Sequence, residues 1–143
     1  MLEIKIKYHV SDMDKITKIE LGDWIDLRAS RDYNIPKDNF CLVDLGVSIK
    51  IPKGYEAHLA PRSSTFKNWG ITQVNSVGII DESYSGETDF WMLPVIAHRD
   101  TLIKKNDRIC QFRIIEKMPE VTIIEVDTME GDSRGGFGST GVN

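Results

Sequence analysis

The sequence contains only two cysteines, Cys41 and Cys110, and neither belongs to a CxxC pair. Two cysteines cannot build the disulfide framework of a small secreted domain, so both are expected to be reduced. No apolar run approaches the roughly 20 residues that a membrane span requires. The N-terminal residues alternate charged and apolar side chains instead of forming the continuous apolar core of a signal peptide. These absences predict a cytoplasmic protein without a membrane partner.

Positive charge is also scarce, because 18 Lys and Arg face 22 Asp and Glu, for a formal net charge of −4. The charges are dispersed and form no basic stripe of the kind that non-specific nucleic-acid binding needs. The three histidines, His9, His58 and His98, lack the spacing of metal ligands. We therefore expect neither stable nucleic-acid binding nor a metal caged by protein side chains.

What is present is a pattern of short strands. The chain has 143 residues, 41% of them hydrophobic, which is enough for one domain with a substantial core. The two-residue alternation of Val43, Leu45, Val47, Ile49 and Ile51 predicts a strand with one buried face. Shorter apolar or alternating runs, separated by turn signals, occur at residues 4–8, 90–97, 110–114 and 121–126. Many short strands separated by turns are typical of an all-β sandwich or barrel.

Two local signals refine this pattern. Pro94, inside the apolar run 90–97, predicts an edge strand or a bulge at that point. Residues 64–69 form the one candidate helix, with Ser63 or Ser64 as its N-cap and Gly70 at its end.

The C-terminal residues differ in composition from the rest. Residues 131–143 are rich in Gly and Ser with almost nothing to bury, so we divide the chain into a β domain, 1–130, and an arm, 131–143. Residues 136–141 match GxGxxG, but no helix can follow them as a dinucleotide site requires. Two interpretations stay open. Arg134, Phe137 and backbone N–H groups close over an anionic ligand, or the segment is a solubilising tail.

Three polar clusters are candidates for chemistry. Residues 60–65 place Arg62 and several hydroxyls where a strand meets a short helix, which suits either phosphate binding or simple helix capping. Asp81 follows two isoleucines and is either a general base or a turn-forming aspartate. In residues 107–112, Gln111 is expected to share a strand face with Ile109 and to need a hydrogen-bond partner if buried.

Taken in order, these clusters resemble the five motifs of the homotrimeric, all-β dUTP pyrophosphatase (dUTPase) family, particularly its short bacterial and bacteriophage members. The matching segments are Asp26–Ala29, Pro61–Ser64, Gly78–Glu87, Asp107–Gln111 and Arg134–Gly141. The resemblance implies a dUTPase-like β-barrel or jelly-roll domain with one short helix and a flexible Gly-rich arm. It also implies a homotrimer that hydrolyses dUTP to dUMP and pyrophosphate, which limits uracil in DNA and supplies dUMP for dTTP synthesis.

The resemblance also implies roles for individual residues. Asp81 would position and deprotonate the water that attacks the α-phosphorus. Asn75 and the tight hairpin at Gly78 would read the uracil edge, Tyr84 would exclude a 2′-hydroxyl, and Phe137 would cover the uracil when the arm closes. The other implied substrate-binding residues are Arg62, Ser63, Ser64, Gln111, Arg134, Gly138, Ser139 and Thr140.

The implied cofactor is Mg²⁺, carried mainly by the phosphates and by water, with Asp26 reaching it through a water molecule. This arrangement agrees with the lack of a dedicated metal cage in the sequence. Two departures from the family pattern bear on these roles. Asp23 and Trp24 stand where the family usually has small residues, and Arg134 is closer to Phe137 than usual.

Two alternative functions use the same fold. A dCTP deaminase, possibly bifunctional, shares a similar Arg-Ser-Ser stretch but needs a glutamate aimed at the base, whereas Asp81 and Tyr84 match the hydrolase. A non-catalytic nucleotide-sensing regulator would use the arm as an interaction element. Retention of every side chain implied in catalysis favours the hydrolase.

Overall fold

The computed structural model describes residues 1–138 and 140–142, and strands make up most of its regular structure. The strands are β1 (Lys5–Tyr8), β2 (Ile25–Arg28), β3 (Tyr33–Ile35), β4 (Phe40–Asp44), β5 (Val47–Lys50), β6 (Tyr55–Pro61), β7 (Ile71–Gln73), β8 (Gly78–Ile80), β9 (Met92–Ala97), β10 (Thr101–Ile103) and β11 (Arg108–Glu116). A short helix, α1 (Thr65–Trp69), lies between β6 and β7. The prediction of an all-β domain with one short helix is confirmed for the described residues.

The strands pair antiparallel into four small sheets. The largest has the order β2-β11-β6-β8, and a second has the order β4-β9-β7. The remaining strands form the pairs β1-β5 and β3-β10. One cluster of buried side chains joins these sheets, and within it the rings of Trp91 and Phe112 meet edge to face at 5.2 Å. Each large apolar side chain buried in this way contributes about 1.5–3 kcal/mol to folding.

The alternation over residues 43–51 is confirmed as a pattern of burial, but not as one strand. All five apolar residues of the run are buried. The chain turns at Gly46, whose φ is +71°, and β4 and β5 then pair with different strands, β9 and β1. A Cβ at Gly46 would lie 2.7 Å from Met13 Sδ and 2.9 Å from Ser30 Cβ. Glycine is therefore required by both its backbone angle and its packing.

Pro94 lies in the middle strand of its sheet, so the expectation of an edge strand was wrong for β9 as a whole. Its carbonyl accepts a hydrogen bond of 3.1 Å from the N–H of Val74, just beyond the end of β7. The nitrogen and carbonyl of one residue point to the same side of a strand, so the missing N–H faces Val74. The proline therefore removes one hydrogen bond of the ladder at the point where β7 ends.

The predicted helix is confirmed, and it ends as expected at Gly70, whose φ is +64° and whose N–H donates to Phe66 O at 2.7 Å. Ser64 occupies the N-cap position but makes no capping hydrogen bond with its side chain. Among the described residues, no helix has the length and apolar character needed to cross a membrane.

The strand predicted at residues 121–126 was wrong, because this segment forms no strand in the part of the chain that the structure describes. Regular structure ends at Glu116, and the described residues that follow are exposed. Val121, Ile123 and Val126 are 63%, 94% and 55% exposed, so these apolar side chains join no sheet among the described residues. The exposed segment therefore begins well before Gly131, the boundary expected from composition.

Candidate functional site

Three adjacent strands bring the first, second and fourth motifs together. In the largest sheet, Gln111 of β11 pairs with Asp26 of β2 on one side and with Ala60 of β6 on the other. Arg62 follows directly after β6 ends at Pro61. Residues far apart in sequence therefore meet at one end of the sheet because the antiparallel register aligns them.

Asp26 is held between two arginines. Arg62 Nε lies 3.1 Å from Asp26 Oδ1, and Arg108 Nη1 lies 3.6 Å from Asp26 Oδ2. Arg62 Nη1 also donates to the backbone carbonyl of Arg108 at 3.0 Å. One carboxylate cannot neutralise two guanidinium groups, so the cluster carries a local positive charge in an acidic protein.

A buried threonine fixes the backbone of the second motif. Thr65 is 2% exposed, and its hydroxyl accepts a hydrogen bond from Arg62 N at 2.8 Å and donates to Ile109 O at 3.0 Å. This contact links the segment after β6 to β11 and so fixes the start of the Arg62 side chain. Ser63 is exposed next to Arg62, whereas Ser64 is half-buried at the helix start.

Gln111 does not share a face with Ile109, so that expectation was wrong. The register of β11 against β2 shifts between Arg108 and Cys110, which marks a bulge. Ile109 and Cys110 are consequently both buried, and Gln111 turns to the outer face of the sheet, where it is half-buried. Its amide donates to Pro61 O at 3.0 Å, which supplies the hydrogen-bond partner that a half-buried amide needs.

These side chains open into a cavity of about 350 Å³, which we call the arginine cavity. Its polar lining comprises Thr17, Asp23, Asp26, Arg28, Arg62, Ser63, Arg108 and Gln111. Ile16, Ile19, Leu21 and Trp24, from the segment before β2, form an apolar wall. The sequence assigned no role to Arg108 or to this wall, although Arg108 stands in the fourth motif beside Gln111.

The third motif forms a different cavity, of about 630 Å³, which we call the hairpin cavity. Its lining includes Leu42, Leu59, Asn75, Gly78, Ile79, Ile80, Asp81, Ser83, Tyr84, Phe90, Trp91, Met92 and Pro94. Gly78 is buried, and a Cβ there would lie 3.2 Å from Leu59 Cβ, closer than ordinary packing allows. Glycine at this position lets the turn between β7 and β8 approach β6.

Asp81 follows β8 and is exposed at the hairpin cavity. The Ser83 hydroxyl and the Ser83 N–H, which donates to Asp81 Oδ1 at 2.8 Å, hold the pKa of Asp81 below its usual value. Asp81 is therefore ionised at neutral pH. Its carbonyl accepts from Tyr84 N at 2.9 Å, and the Tyr84 hydroxyl donates to Phe90 O at 2.8 Å. The backbone N–H and the side-chain hydroxyl of Tyr84 are thus both held by hydrogen bonds, while the residue remains 42% exposed.

The next residue, Glu82, anchors this loop to the rest of the domain. Its Oε2 accepts from Gly54 N at 2.6 Å, and its Oε1 pairs with Lys117 Nζ. The Lys117 contact lowers the pKa of Glu82, and the same contact raises the pKa of Lys117. Lys117 directly follows β11, so one ion pair joins the Asp81 loop to the base of the C-terminal segment.

The two cavities share no lining residue, and the register of β6 against β8 explains why. Ile80 pairs with Ala57, whereas Arg62 follows the far end of β6. Five residues of extended chain separate Ala57 from Arg62, which is about 16 Å. Asp81 continues β8 away from that end, so it lies further still from Arg62. One chain therefore cannot place both side chains on one phosphate group.

The described residues of the fifth motif line neither cavity. Arg134, Phe137, Gly138 and Thr140 are exposed, and the Phe137 side chain is fully open to solvent. Ser139, which the resemblance implied in substrate binding, lies outside the described residues. Residues 1–138 and 140–142 contain no group of three or more side chains placed to hold a metal ion. Asp26, as a single carboxylate, suits contact through water and does not form a cage.

Comparison with known proteins identifies the family. The family model for dUTPase matches residues 24–141. The chain is 60% identical over 140 residues to the SPbeta prophage-derived deoxyuridine 5'-triphosphate nucleotidohydrolase YosS of Bacillus subtilis (strain 168), covering 98% of this chain and 99% of that protein. It is 37% identical over 123 residues to the deoxyuridine 5'-triphosphate nucleotidohydrolase of Finegoldia magna, covering 82% and 83% of the two chains.

Solved structures agree with the fold. A Staphylococcus bacteriophage 80alpha dUTPase with dUPNHPP has a TM-score of 0.78 at 18% identity, covering 99% of this chain and all of that one. A mutant dUTPase from phage phi11 of S. aureus, described with a structural Mg(II) ion, has a TM-score of 0.74 at 14% identity, covering 88% and 99%. With four of the five matching motifs placed at two cavities, the family model and the identity to curated relatives show that this chain belongs to the dUTPase family.

Proposed function

We propose that this protein hydrolyses dUTP to dUMP and pyrophosphate by attack of water on the α-phosphorus. The observation that carries the proposal is the exposed, ionised Asp81 at a cavity that also contains Asn75, Gly78 and Tyr84. The likeness in sequence to named deoxyuridine triphosphate nucleotidohydrolases over nearly the whole chain supports the same activity.

Asp81 orients the attacking water and accepts its proton. An aspartate whose pKa is lowered is a weak base, so proton removal alone supplies only part of the rate enhancement. The larger part comes from holding water and phosphorus in line and from neutralising charge that develops on the phosphate oxygens. The chain provides the neutralising charge in the arginine cavity, where Arg62 and Arg108 exceed the charge of Asp26.

The phosphates bind in the arginine cavity and the nucleoside binds in the hairpin cavity. Arg62, Ser63 and Gln111 supply donors to the phosphate chain, with Ser64 contributing at the helix start. The turn at Asn75 and Gly78 reads the uracil edge and leaves no room for a 5-methyl group, so dTTP is rejected. Tyr84 packs against the deoxyribose, where a 2′-hydroxyl would collide with its ring, so UTP is rejected.

Because one chain cannot place Arg62 and Asp81 on one phosphate group, a complete site takes the arginine cavity of one chain and the hairpin cavity of another. A homotrimer meets this requirement with three equivalent sites. The exposed apolar side chains of residues 118–129 favour a role in contact with a neighbouring chain, because such a strip is unstable in water.

The arm then closes over a site of a neighbouring chain. Phe137 covers the uracil, Arg134 and Thr140 add donors to the phosphates, and Gly138 and Ser139 let the backbone approach them closely. The described residues of the arm are exposed, so the arm is free to make these contacts when nucleotide binds.

The residues present fit Mg²⁺ carried on the triphosphate, since Asp26 offers one carboxylate and the described chain offers no cage. When bound, the ion neutralises phosphate charge and fixes the geometry of the triphosphate.

We also place the protein in the cytoplasm. Cys41 and Cys110 are free, as expected in a reducing compartment.

Product analysis tests the proposal. The purified protein is incubated with Mg²⁺ and, separately, with dUTP, dCTP, dTTP or UTP, and monophosphate, pyrophosphate and ammonia are resolved. Selective formation of dUMP and pyrophosphate from dUTP is expected. Ammonia from dCTP would identify a deaminase, and no turnover of any nucleotide would identify a binding protein.

A further inference from the structure

Gln73 is a buried amide at the base of the turn that lines the hairpin cavity. It is the last residue of β7, and it is 9% exposed. Its Nε2 donates to the backbone carbonyl of Leu59 at 3.1 Å. Its Oε1 is buried and has no hydrogen-bond partner among the described residues. A buried amide with an unpaired oxygen lowers the free energy of unfolding, and an apolar side chain of similar size would not have this effect.

The hydrogen bond of Gln73 joins the two largest sheets. Gln73 belongs to the sheet β4-β9-β7, and Leu59 belongs to β6 of the other sheet. Residues 74–77 carry the chain from one sheet to the other, and they include Asn75 and the strained Ser76, whose φ is +60°. The amide therefore fixes the sheet-to-sheet distance at the point where this turn begins.

The same amide packs behind Gly78. Leu59 pairs with Gly78 across β6 and β8, and a Cβ at Gly78 would lie 3.5 Å from Gln73 Nε2. The backbone carbonyl of Gln73 also accepts from Ser76 N at 3.3 Å. Gln73 thus contacts both ends of the turn, one through its backbone and the other through its side chain.

We propose that Gln73 is a positioning residue for base recognition. Its side chain sets the distance between the turn 74–77 and β6, and this distance determines where Asn75 and Gly78 lie against the pyrimidine edge. The inference rests on the proposed binding of uracil in the hairpin cavity. It adds that selectivity between pyrimidines depends on a side chain that does not touch the nucleotide.

Gln73→Leu tests this role, because leucine fills the same space without bridging to Leu59 O. The expected result is a rise of about tenfold in KM for dUTP with kcat little changed, together with a lower ratio of kcat/KM for dUTP over dTTP. A merely structural role would lower the melting temperature and the active fraction without moving KM or that ratio. Unchanged KM and unchanged selectivity in a folded variant would overturn the proposal.

Two control variants separate this inference from the proposed function. Thr72→Val alters the preceding residue, which is exposed and contacts His98 Nε2 at 2.8 Å, and it should leave KM unchanged. Asn75→Ala should raise KM for dUTP if uracil binds at the turn. If Asn75→Ala raises KM and Gln73→Leu does not, the role of Gln73 alone is refuted. If neither variant changes KM, the placement of uracil is refuted as well.

An NMR measurement on the wild-type protein tests the same proposal and does not require that any variant folds. In NMR spectra, the Gln73 side-chain amide protons should exchange slowly with solvent, and their resonances should shift when dUMP is added. Fast exchange and no shift on saturation with dUMP would overturn the proposal, because a bridging amide behind Gly78 must sense an occupied cavity.

Discussion

Arg62 Nε lies 3.1 Å from Asp26 Oδ1, and this pair links the second motif to the first at one end of the largest sheet. The same guanidinium donates through Nη1 to the carbonyl of Arg108. Arg62 is therefore oriented from two directions before any phosphate arrives, which lowers the entropy that binding must remove.

Replacing Arg62 with lysine should keep the charge and lose this orientation, because an ammonium group cannot make both contacts at once. We expect Arg62→Lys to lower kcat/KM for dUTP by about 100-fold with little change in melting temperature. Steady-state kinetics and thermal unfolding measure the two effects. Arg99→Lys is the matched control, since Arg99 likewise makes two contacts, with the backbone carbonyls of Lys67 and Asn68, but lies at neither cavity. Equal kinetics for Arg62→Lys and Arg99→Lys would contradict the assignment.

Asp81→Asn removes the proposed proton acceptor while keeping the shape of the side chain. Turnover should fall by about 10²–10⁴-fold, the usual range for a general base, and binding of a non-hydrolysable dUTP analogue should remain. Single-turnover kinetics measure the loss of turnover, and calorimetric titration measures binding of the analogue. An equally active Asp81→Asn protein would exclude Asp81 as the base.

The pKa of Asp81 can be measured in the free protein by ¹³C NMR of its carboxyl group. Because contacts with Ser83 lower the folded pKa, the carboxylate persists as pH falls and is lost only when pH passes through that lowered value. The midpoint should lie below the unperturbed value of about 3.9, and Ser83→Ala should raise it. A midpoint above the unperturbed value in the wild-type protein would show that the Ser83 contacts are not made.

Tyr84 should control the choice between deoxyribose and ribose. Tyr84→Ala should increase kcat/KM for UTP relative to dUTP, because the smaller side chain leaves space for a 2′-hydroxyl. Tyr84→Phe keeps the ring and loses the hydrogen bond to Phe90 O, so it should retain most of the discrimination. Competition assays with the two nucleotides measure the ratio. If Tyr84→Ala discriminates as well as the wild-type protein, the sugar is selected elsewhere.

Deleting residues 131–143 should impair catalysis without impairing folding. The described residues of this segment are exposed, so the melting temperature should stay within a few degrees of the full chain. We expect kcat/KM to fall by at least about 100-fold, because the closed site loses Phe137 and Arg134. Full turnover by the truncated protein would remove the arm from the mechanism.

Much of the fold follows from local patterns in the sequence. The helix before Gly70 was predicted from its capping residues, and the buried alternation of residues 43–51 was predicted from spacing. Three features were not predictable, because each depends on tertiary packing. The bulge at Ile109 turns Gln111 to the outer face. The turn at Gly46, packed against Met13, divides the run 43–51 into two strands, and residues 121–126 have no partner strand among the described residues.

The candidate site was foreseen as a set of residues but not as two separate cavities. The order of Arg62 and Asp81 in the sequence does not reveal the register of β6 against β8, which places them at opposite ends of a strand. Arg108 was missed because nothing in the sequence indicates that its side chain and carbonyl both meet the Asp26–Arg62 pair.

The central claim is that each active site combines the arginine cavity of one chain with the hairpin cavity of another. Complementation tests it most directly. Arg62→Ala and Asp81→Asn proteins, each inactive alone, are unfolded together in equal amounts, refolded and assayed for dUTP hydrolysis. Shared sites predict recovery of about a quarter of the wild-type activity, because that fraction of sites pairs an intact Arg62 with an intact Asp81. No recovery, with mixed oligomers verified by mass spectrometry, would contradict the claim.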